Sequence, residues 1–350
     1  MSKSLNVVLV GCGAISELYY APALKEASKH ALLNIVALFD PSPSRLALLH
    51  QSFPSALAVS NFDELITLQP DLAIIASPPR FHAVQANALL SAGAHVLCEK
   101  PMATSVSEAE SMIRSANDAN RILAIGLFRR FFPALQSIRS LVDVGVLGAP
   151  KSFDFSEGGP FNWPAASASF FQKQHSQGGV LLDLGVHLLD LVCWWFGEPA
   201  SFRYEDDAMG NLEANSLITL KYPSGLTGVV RMSRDTTIAN CYSIQFERGL
   251  VTWSVGDGNH LDVLLNGHPF HFNAELRSNF SSAATYHQSF VNQILNFVYS
   301  AHGMESVHVS GNEGIRSLRL IEACYESRQL LPMPWLSDTE ACRALQLVMA

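Results

Sequence analysis

Six short runs rich in apolar residues alternate with segments of helical spacing over the first third of the chain. That alternation constrains the fold more than any other feature. Leu5–Val10, Leu33–Phe39, Leu72–Ala76, His95–Cys98 and Arg121–Leu127 read as strands buried on both faces, and Ala56–Val59 fits one more short strand. Between them lie Ala14–Ala27, Pro43–Gln51, Asp63–Leu68, Phe81–Ala92 and Ser105–Asn120, each with apolar residues at helical intervals. Strand, helix, strand, repeated, means right-handed βαβ units and a doubly wound parallel sheet. Pro22 predicts a split in the first helix, because an interior proline removes a hydrogen bond and clashes with the preceding turn.

After about residue 128 the pattern changes. Ala214–Lys221, Leu226–Ser233, Tyr242–Glu247 and Leu250–Val255 are strand-like and are joined through turns as short as Pro223-Ser224-Gly225 and Arg248-Gly249. Turns of that length join antiparallel neighbours. Helices are expected at Gly179–Phe196, Thr285–His302 and Asn312–Gln329. The expected architecture is α/β: a dinucleotide-type doubly wound domain over residues 1–127, then an α+β domain over 128–350 with a largely antiparallel open sheet. The last twenty residues, with Pro332, Pro334 and Trp335, read as an appended segment.

Composition narrows the function. Charged residues make up 15% of the 350 positions and hydrophobic ones 48%, against about 25% charged in ordinary soluble proteins. A large core follows, and an apolar second sheet buried between subunits of a homodimer or homotetramer. The net charge of −8 without a basic run argues against nucleic acid, which needs clustered Lys or Arg. Leu9-Val10-Gly11-Cys12 resembles a lipoprotein cleavage box, but the run before it is too short for the ~7–15-residue core of a signal peptide. No stretch approaches the ~18 apolar residues of a membrane span. The six cysteines are scattered, without metal-like spacing, so they read as reduced thiols and no metal site is expected. A soluble, cytoplasmic protein is expected.

Gly11-Cys12-Gly13-Ala14-Ile15-Ser16 follows the first strand and opens a helix. Gly11 suits a tight turn, Gly13 lets a pyrophosphate approach backbone N–H groups, and Ser16 is small enough for helix–strand packing. At the first βα junction of a doubly wound pattern this points to a bound dinucleotide. Asp40 ends the second strand, where a carboxylate can accept both adenosine ribose hydroxyls and repel a 2′-phosphate. NAD is therefore favoured over NADP. Asp40 can equally start a turn and cap the next helix, and Arg45 keeps NADP open.

In strand order 3-2-1-4-5-6 the ligand lies along the carboxyl edge, with nicotinamide towards strands 4 and 5. Ser77-Pro78 closes strand 4 and should wall that side; His82 follows, as a cofactor neighbour or a helix-start residue. Glu99-Lys100-Pro101 closes strand 5, and Pro101 can be cis. Lys100 is then placed to polarise a reacting oxygen. A second constellation runs from Gly178 to Asp190. Asp183 and His187 stand at i and i+4 and share a helix face, with Asp190 three beyond. A carboxylate beside an imidazole suits proton transfer, although a buried structural pair has the same spacing.

Gly11-Cys12-Gly13, the segment His95–Pro101 and Gly179 through Asp190 together resemble the Gfo/Idh/MocA oxidoreductases. The segment Gly311 to Arg328 resembles that family's closing helix, so the likeness spans most of the chain. It implies a Rossmann domain, a second domain whose sheet often serves as an oligomer interface, and hydride exchange between a nicotinamide cofactor and a sugar, polyol or related cyclic alcohol. By position Lys100, Asp183 and His187 match the family's catalytic lysine, aspartate and histidine. The resemblance and the topology give the expected cofactor contacts: Gly11, Gly13, Ala14, Ile15, Ser16, Asp40, Ser77, Pro78, His82, Glu99, Lys100 and Arg129. Arg130, Trp163 and Tyr286 join the catalytic three as expected substrate contacts. Trp163-Pro164-Ala165 departs from the Trp-x-Arg of some sugar-reducing members, and Tyr286 with His287 can instead be core and surface residues. Two alternatives to a dehydrogenase remain: a glycosidase of the same superfamily that uses held NAD for transient oxidation, and a non-catalytic dinucleotide sensor.

Overall fold

The computed structural model describes residues 4–31, 33–164, 172–176, 178–265, 268–273, 285–332 and 337–348. Ala165, Pro334 and Trp335, named above, lie outside the described residues. Contacts divide the chain into two units, Met1–Phe131 with Ala283–Leu318, and Phe132–Ser282 with Arg319–Ala350. A boundary at residue 127/128 makes each domain one continuous stretch. The first unit instead takes in a segment that returns from late in the chain.

In the first unit β1 (Leu5–Val10), β2 (Leu33–Phe39), β3 (Leu57–Val59), β4 (Leu72–Ile75), β5 (His95–Glu99) and β6 (Leu123–Gly126) form one parallel sheet. Its order is β3-β2-β1-β4-β5-β6, the Rossmann arrangement expected of the pattern. Val8, Leu9, Val10, Ile75, Val96 and Leu97 have no exposed surface, as strands covered on both faces require. The carboxyl ends of β1 and β4 mark the topological switch point, where ligands of such sheets bind.

Pro22 does not break the first helix. A π-helical turn over Ser16–Tyr20 precedes the α-helical Ala21–Ala27, and the Ala21 N–H donates to the Ser16 carbonyl. Widening the turn ahead of a proline relieves the clash between its ring and the carbonyl four residues back. The returning segment completes this unit. In its helix Tyr286–Ala301, Phe290 stacks on Tyr19 and Phe128, each at 5.0 Å, and meets Tyr20 edge-on at 5.2 Å. The Ile125 N–H then donates to the Val309 carbonyl at 3.0 Å, and Ala124 bridges Ser310. The exposed edge of β6 is thereby covered.

The second unit is built on a nine-stranded sheet. Its strands are β7 (Pro150–Gly158), β8 (Ser201–Asp206), β9 (Asn215–Lys221), β10 (Thr227–Ser233), β11 (Cys241–Phe246), β12 (Gly249–Ser254), β13 (His260–Leu265), β14 (His268–Asn273) and β15 (Gln329–Leu330). The order is β14-β13-β12-β11-β7-β10-β9-β8-β15; among the described strands only β7–β10 and β8–β15 pair in parallel. One face is aromatic and covered by the helix Val186–Phe196, on which the helix Pro133–Val144 packs: Phe153 stacks on Phe196 at 4.9 Å, Phe155 meets Trp195 at 5.7 Å, and the Trp195 indole N–H donates to the Leu135 carbonyl at 3.2 Å. On β9, Ile218 and Leu220 are fully buried while Leu217 and Thr219 on the other face are half-exposed. No described helix is long and apolar enough to cross a membrane.

Candidate active site

Gly11 sits where three strand ends converge. Its φ is +95°, and a Cβ there would stand 2.7 Å from the backbone carbonyl carbon of Ala76 and the nitrogen of Ser77. Only glycine fits such a turn. Two residues on, Gly13 differs: a Cβ there would meet nothing within 4 Å. Gly11 is thus closed for the sake of the fold, and Gly13 is left open at the start of the helix that runs on from Ala14. That is the cradle a pyrophosphate needs. Ser16 locks it, its buried hydroxyl donating to the Gly11 carbonyl at 2.6 Å. The bond shows that Ser16 is more than a small residue for packing.

Asp40 starts the turn expected of it, while the helix that follows has Ser42 rather than Asp40 as its N-cap. One carboxylate oxygen accepts the Ser42 N–H at 2.8 Å and so makes the turn; the other accepts the Cys12 N–H at 2.8 Å and ties the glycine loop to β2. An ionised carboxylate has about four lone-pair directions, so capacity for ribose hydroxyls remains. Cys12 itself is buried, and burial first, then the charge of Asp40, pushes its thiol up to about 12 against the opposing pull of Arg45. The thiol is inert at neutral pH.

At the ends of β4 and β5 the residues are tightly knit. His82 is fully buried, its two ring nitrogens at 2.8 Å from the Ser77 carbonyl and 3.0 Å from that of Pro101. It clamps the two strand ends together. Burial lowers its pKa, against the raising effect of those carbonyls. Ser77 Oγ donates to Gln85 at 2.5 Å, and Pro78 is exposed. The buried Glu99 accepts from the Tyr20 hydroxyl at 2.7 Å and from the Lys100 N–H at 2.9 Å. Burial raises the Glu99 carboxyl despite these bonds and the charge of Lys100. Lys100 is half-buried, and the Lys100-Pro101 peptide is cis.

Arg129 is buried, and Arg130, only 1% exposed, pairs with Glu313 at 2.9 Å. Its carbonyl lies 3.2 Å from His308 Nε2. Burial, then the charge of Arg130, lowers His308 to about 4. Arg130 therefore anchors the returning segment. Tyr286 is half-buried in an aromatic cluster, 5.3 Å from Phe128 and 6.5 Å from Tyr19, while His287 is exposed.

In the second unit, Asp183 lies in a π-helical turn, Leu181–Gly185, which runs directly into the α-helix Val186–Phe196 carrying His187. Such turns recur at functional sites, and the one here breaks the plain α periodicity assumed for the i, i+4 pair. His187 is 5% exposed and Asp190 1%. Asp183, 34% exposed at its side chain, accepts from Arg234 at 3.0 Å. Arg234 also reaches the Gly179 carbonyl at 3.3 Å and lies over the Phe161 ring at 5.6 Å. Trp163, five residues beyond the end of β7, is 36% exposed.

Arg234 escaped the sequence reading, as did Glu213. The latter is 1% exposed and accepts the N–H groups of Gly179 and Leu181, each at 3.0 Å, at the start of the Asp183 turn. Tyr325 donates to it at 2.8 Å, and Arg328 lies 3.3 Å away while reaching Asp206 at 2.6 Å. Burial raises both Glu213 and Asp206, against the hydrogen bonds they accept. No local motif marks either residue; a lone acid before a strand and an arginine after one have no special spacing.

Residues 5–127 match the oxidoreductase family described by its NAD-binding Rossmann fold, and residues 135–252 match the GFO/IDH/MocA C-terminal domain. A D-glucoside 3-dehydrogenase of Escherichia coli is 30% identical over 206 residues, 57% of this chain and 56% of that protein. The scyllo-inositol 2-dehydrogenase (NADP(+)) of Bacillus subtilis is 28% identical over 200 residues, 56% of this chain and 53% of that protein. The chain thus aligns with just over half the length of these curated relatives. Among solved structures, the aldose-aldose oxidoreductase of Caulobacter crescentus, solved with glycerol, shares the fold with a TM-score of 0.81 and 23% identity, covering 93% of this chain and 97% of that one. The two matched regions together take in more than half of the residues, and the chain belongs to the Gfo/Idh/MocA family of NAD(P)-binding oxidoreductases.

Proposed function

We propose that the chain is an NAD(H)-dependent dehydrogenase or reductase acting on a secondary alcohol or ketone of a sugar, polyol or related cyclic substrate. The observation that carries the reading is the loop at β1: Gly11 closed, Gly13 open, and Asp40 tied to the same loop. Asp40 supports NAD rather than NADP, since a carboxylate accepts ribose hydroxyls and repels a 2′-phosphate. The substrate class rests on the relatives, which act on a glucoside and an inositol by name.

A bound nicotinamide would take or give the hydride. The chain's own residues would handle the proton and the charge. His187 would accept the hydroxyl proton. Asp183, held by Arg234 at 3.0 Å, would orient that imidazole and balance the charge it acquires. Lys100, at the end of β5, would polarise the reacting oxygen with its ammonium. Glu99 fixes the strand end beneath it through the Lys100 N–H.

The test is a panel of sugars, polyols and their oxidised forms, read by NADH absorbance with NAD or NADH supplied. Formation or consumption of NADH with one of them supports the reading. Hydrolysis of a glycoside with no net NADH would replace it by the glycosidase alternative.

A further inference from the structure

Arg45 and Glu17 flank the cofactor loop on the side of Asp40. Arg45 comes from the helix Pro43–His50 and Glu17 from the π turn Ser16–Tyr20. The arginine Nε donates to the Cys12 carbonyl at 3.0 Å, and its Nη2 donates to Glu17 at 2.9 Å. Asp40 meanwhile accepts the N–H of the same residue, Cys12, at 2.8 Å. A carboxylate and a guanidinium thus grip one loop residue through its two backbone polar groups, just past the end of β2. A guanidinium in that position is what a 2′-phosphate on the adenosine ribose would seek. Here one of its N–H groups is already drawn to a carboxylate, in a pair whose side chains are 27% and 42% exposed.

We propose that Glu17 is a specificity-determining residue: by holding Arg45 against the loop it withholds the cation that a 2′-phosphate would take. The inference deepens the proposed function and rests on its placing of the adenosine ribose at Asp40. Selection against the phosphorylated cofactor then has two parts. Asp40 repels the phosphate, and Glu17 occupies the arginine that would offset the repulsion. Because the pair is half-exposed, its grip is modest, and a single neutral substitution should release it.

A double-mutant cycle over Glu17→Gln and Arg45→Ala, read by fluorescence titration with NADH and with NADPH, tests this. Glu17→Gln alone should tighten NADPH by about two- to fivefold, the range that such a pair can couple, and leave NADH nearly unchanged. In the Arg45→Ala background the same change should have little effect on NADPH. An equal gain in both backgrounds would mean that Glu17 acts only as a distant negative charge, and no gain in either would mean that it does not act on specificity; both results overturn the proposal. Asp40→Ser is the separate control. If it leaves the NADH-to-NADPH ratio unchanged, the placing of the ribose at Asp40 fails, whatever the cycle shows.

Discussion

Replacing Gly13 and Gly11 with alanine, one at a time, separates what the cofactor loop needs for folding from what it needs for binding. At Gly13 the new methyl meets nothing within 4 Å, and the backbone is outside the left-handed region, so no strain is added. Stability should stay the same or rise by up to about 1 kcal/mol, because alanine narrows the unfolded ensemble. At Gly11 the φ of +95° and backbone atoms 2.7 Å from the new Cβ both oppose the change. A strained backbone costs about 1–3 kcal/mol and overpacking about 1–3 more. Urea unfolding should therefore show a loss of about 2–6 kcal/mol for Gly11→Ala and none for Gly13→Ala. In NADH fluorescence titrations the order changes. The methyl at Gly13 fills the space in which the pyrophosphate would meet backbone N–H groups, and one lost charge-assisted bond of about 1.5–3 kcal/mol already weakens binding tenfold or more. A Gly13→Ala protein that folds as well as the parent and binds NADH as tightly would refute the assignment of this loop to the pyrophosphate.

Other outcomes follow from the buried charges. His308 is held at about 4 against 6.5 when unfolded, so above pH 6.5 both states are neutral and its contribution is complete. As pH falls towards 4 the unfolded chain takes the proton first, and up to about 3 kcal/mol of stability is lost. Glu99, Asp206 and Glu213 have raised pKa values and contribute with the opposite sign, so the comparison must be made between parent and His308→Gln. The parent should lose more stability from pH 7 to 5 in urea titrations; equal slopes would remove the role of His308. Glu213→Ala strands two backbone donors and the Tyr325 hydroxyl, which should cost about 3 kcal/mol or more, while Glu213→Gln, keeping an acceptor, should cost less; equal losses would count against those bonds. Low charge content and the half-exposed face of β9 suggest a homodimer or homotetramer, which light scattering of a monomer at micromolar concentration would contradict.

The sequence makes the parallel sheet legible because its signals are local. β1, β4, β5 and β6 are short, almost wholly buried runs, while the edge strand β3 is mostly exposed, and strand–helix–strand connections are right-handed. Gly11 and Asp40 stand out for the same reason, since the turn chemistry at a strand end is written in adjacent residues. β7 is harder to see. Its buried Phe153 and Phe155 alternate with Ser152, Asp154 and Ser156, so no apolar run marks it. The return of residues 283–318 to the first unit depends on tertiary partners such as Phe290 against Tyr20, and Arg130 finds Glu313 183 residues later. No local pattern encodes such pairings. The two π turns are hidden too, because hydrophobic periodicity does not distinguish a widened turn from an α turn. Arg234 and Glu213 became visible as partners of the Asp183 turn only once β10 and that helix were folded together.

The proposed reaction needs Lys100 and His187 in chemistry rather than in folding or cofactor binding, and one comparison tests this most directly. Lys100→Met keeps the stem and the backbone N–H that meets Glu99, and His187→Asn keeps a polar side chain. Each variant is to be titrated with NADH and assayed for turnover on the substrate found in the panel. Unchanged NADH affinity with turnover lowered about 10²–10⁴-fold is the predicted result. Near-parental turnover in both would contradict the assigned roles and return Asp183 and His187 to a purely structural part.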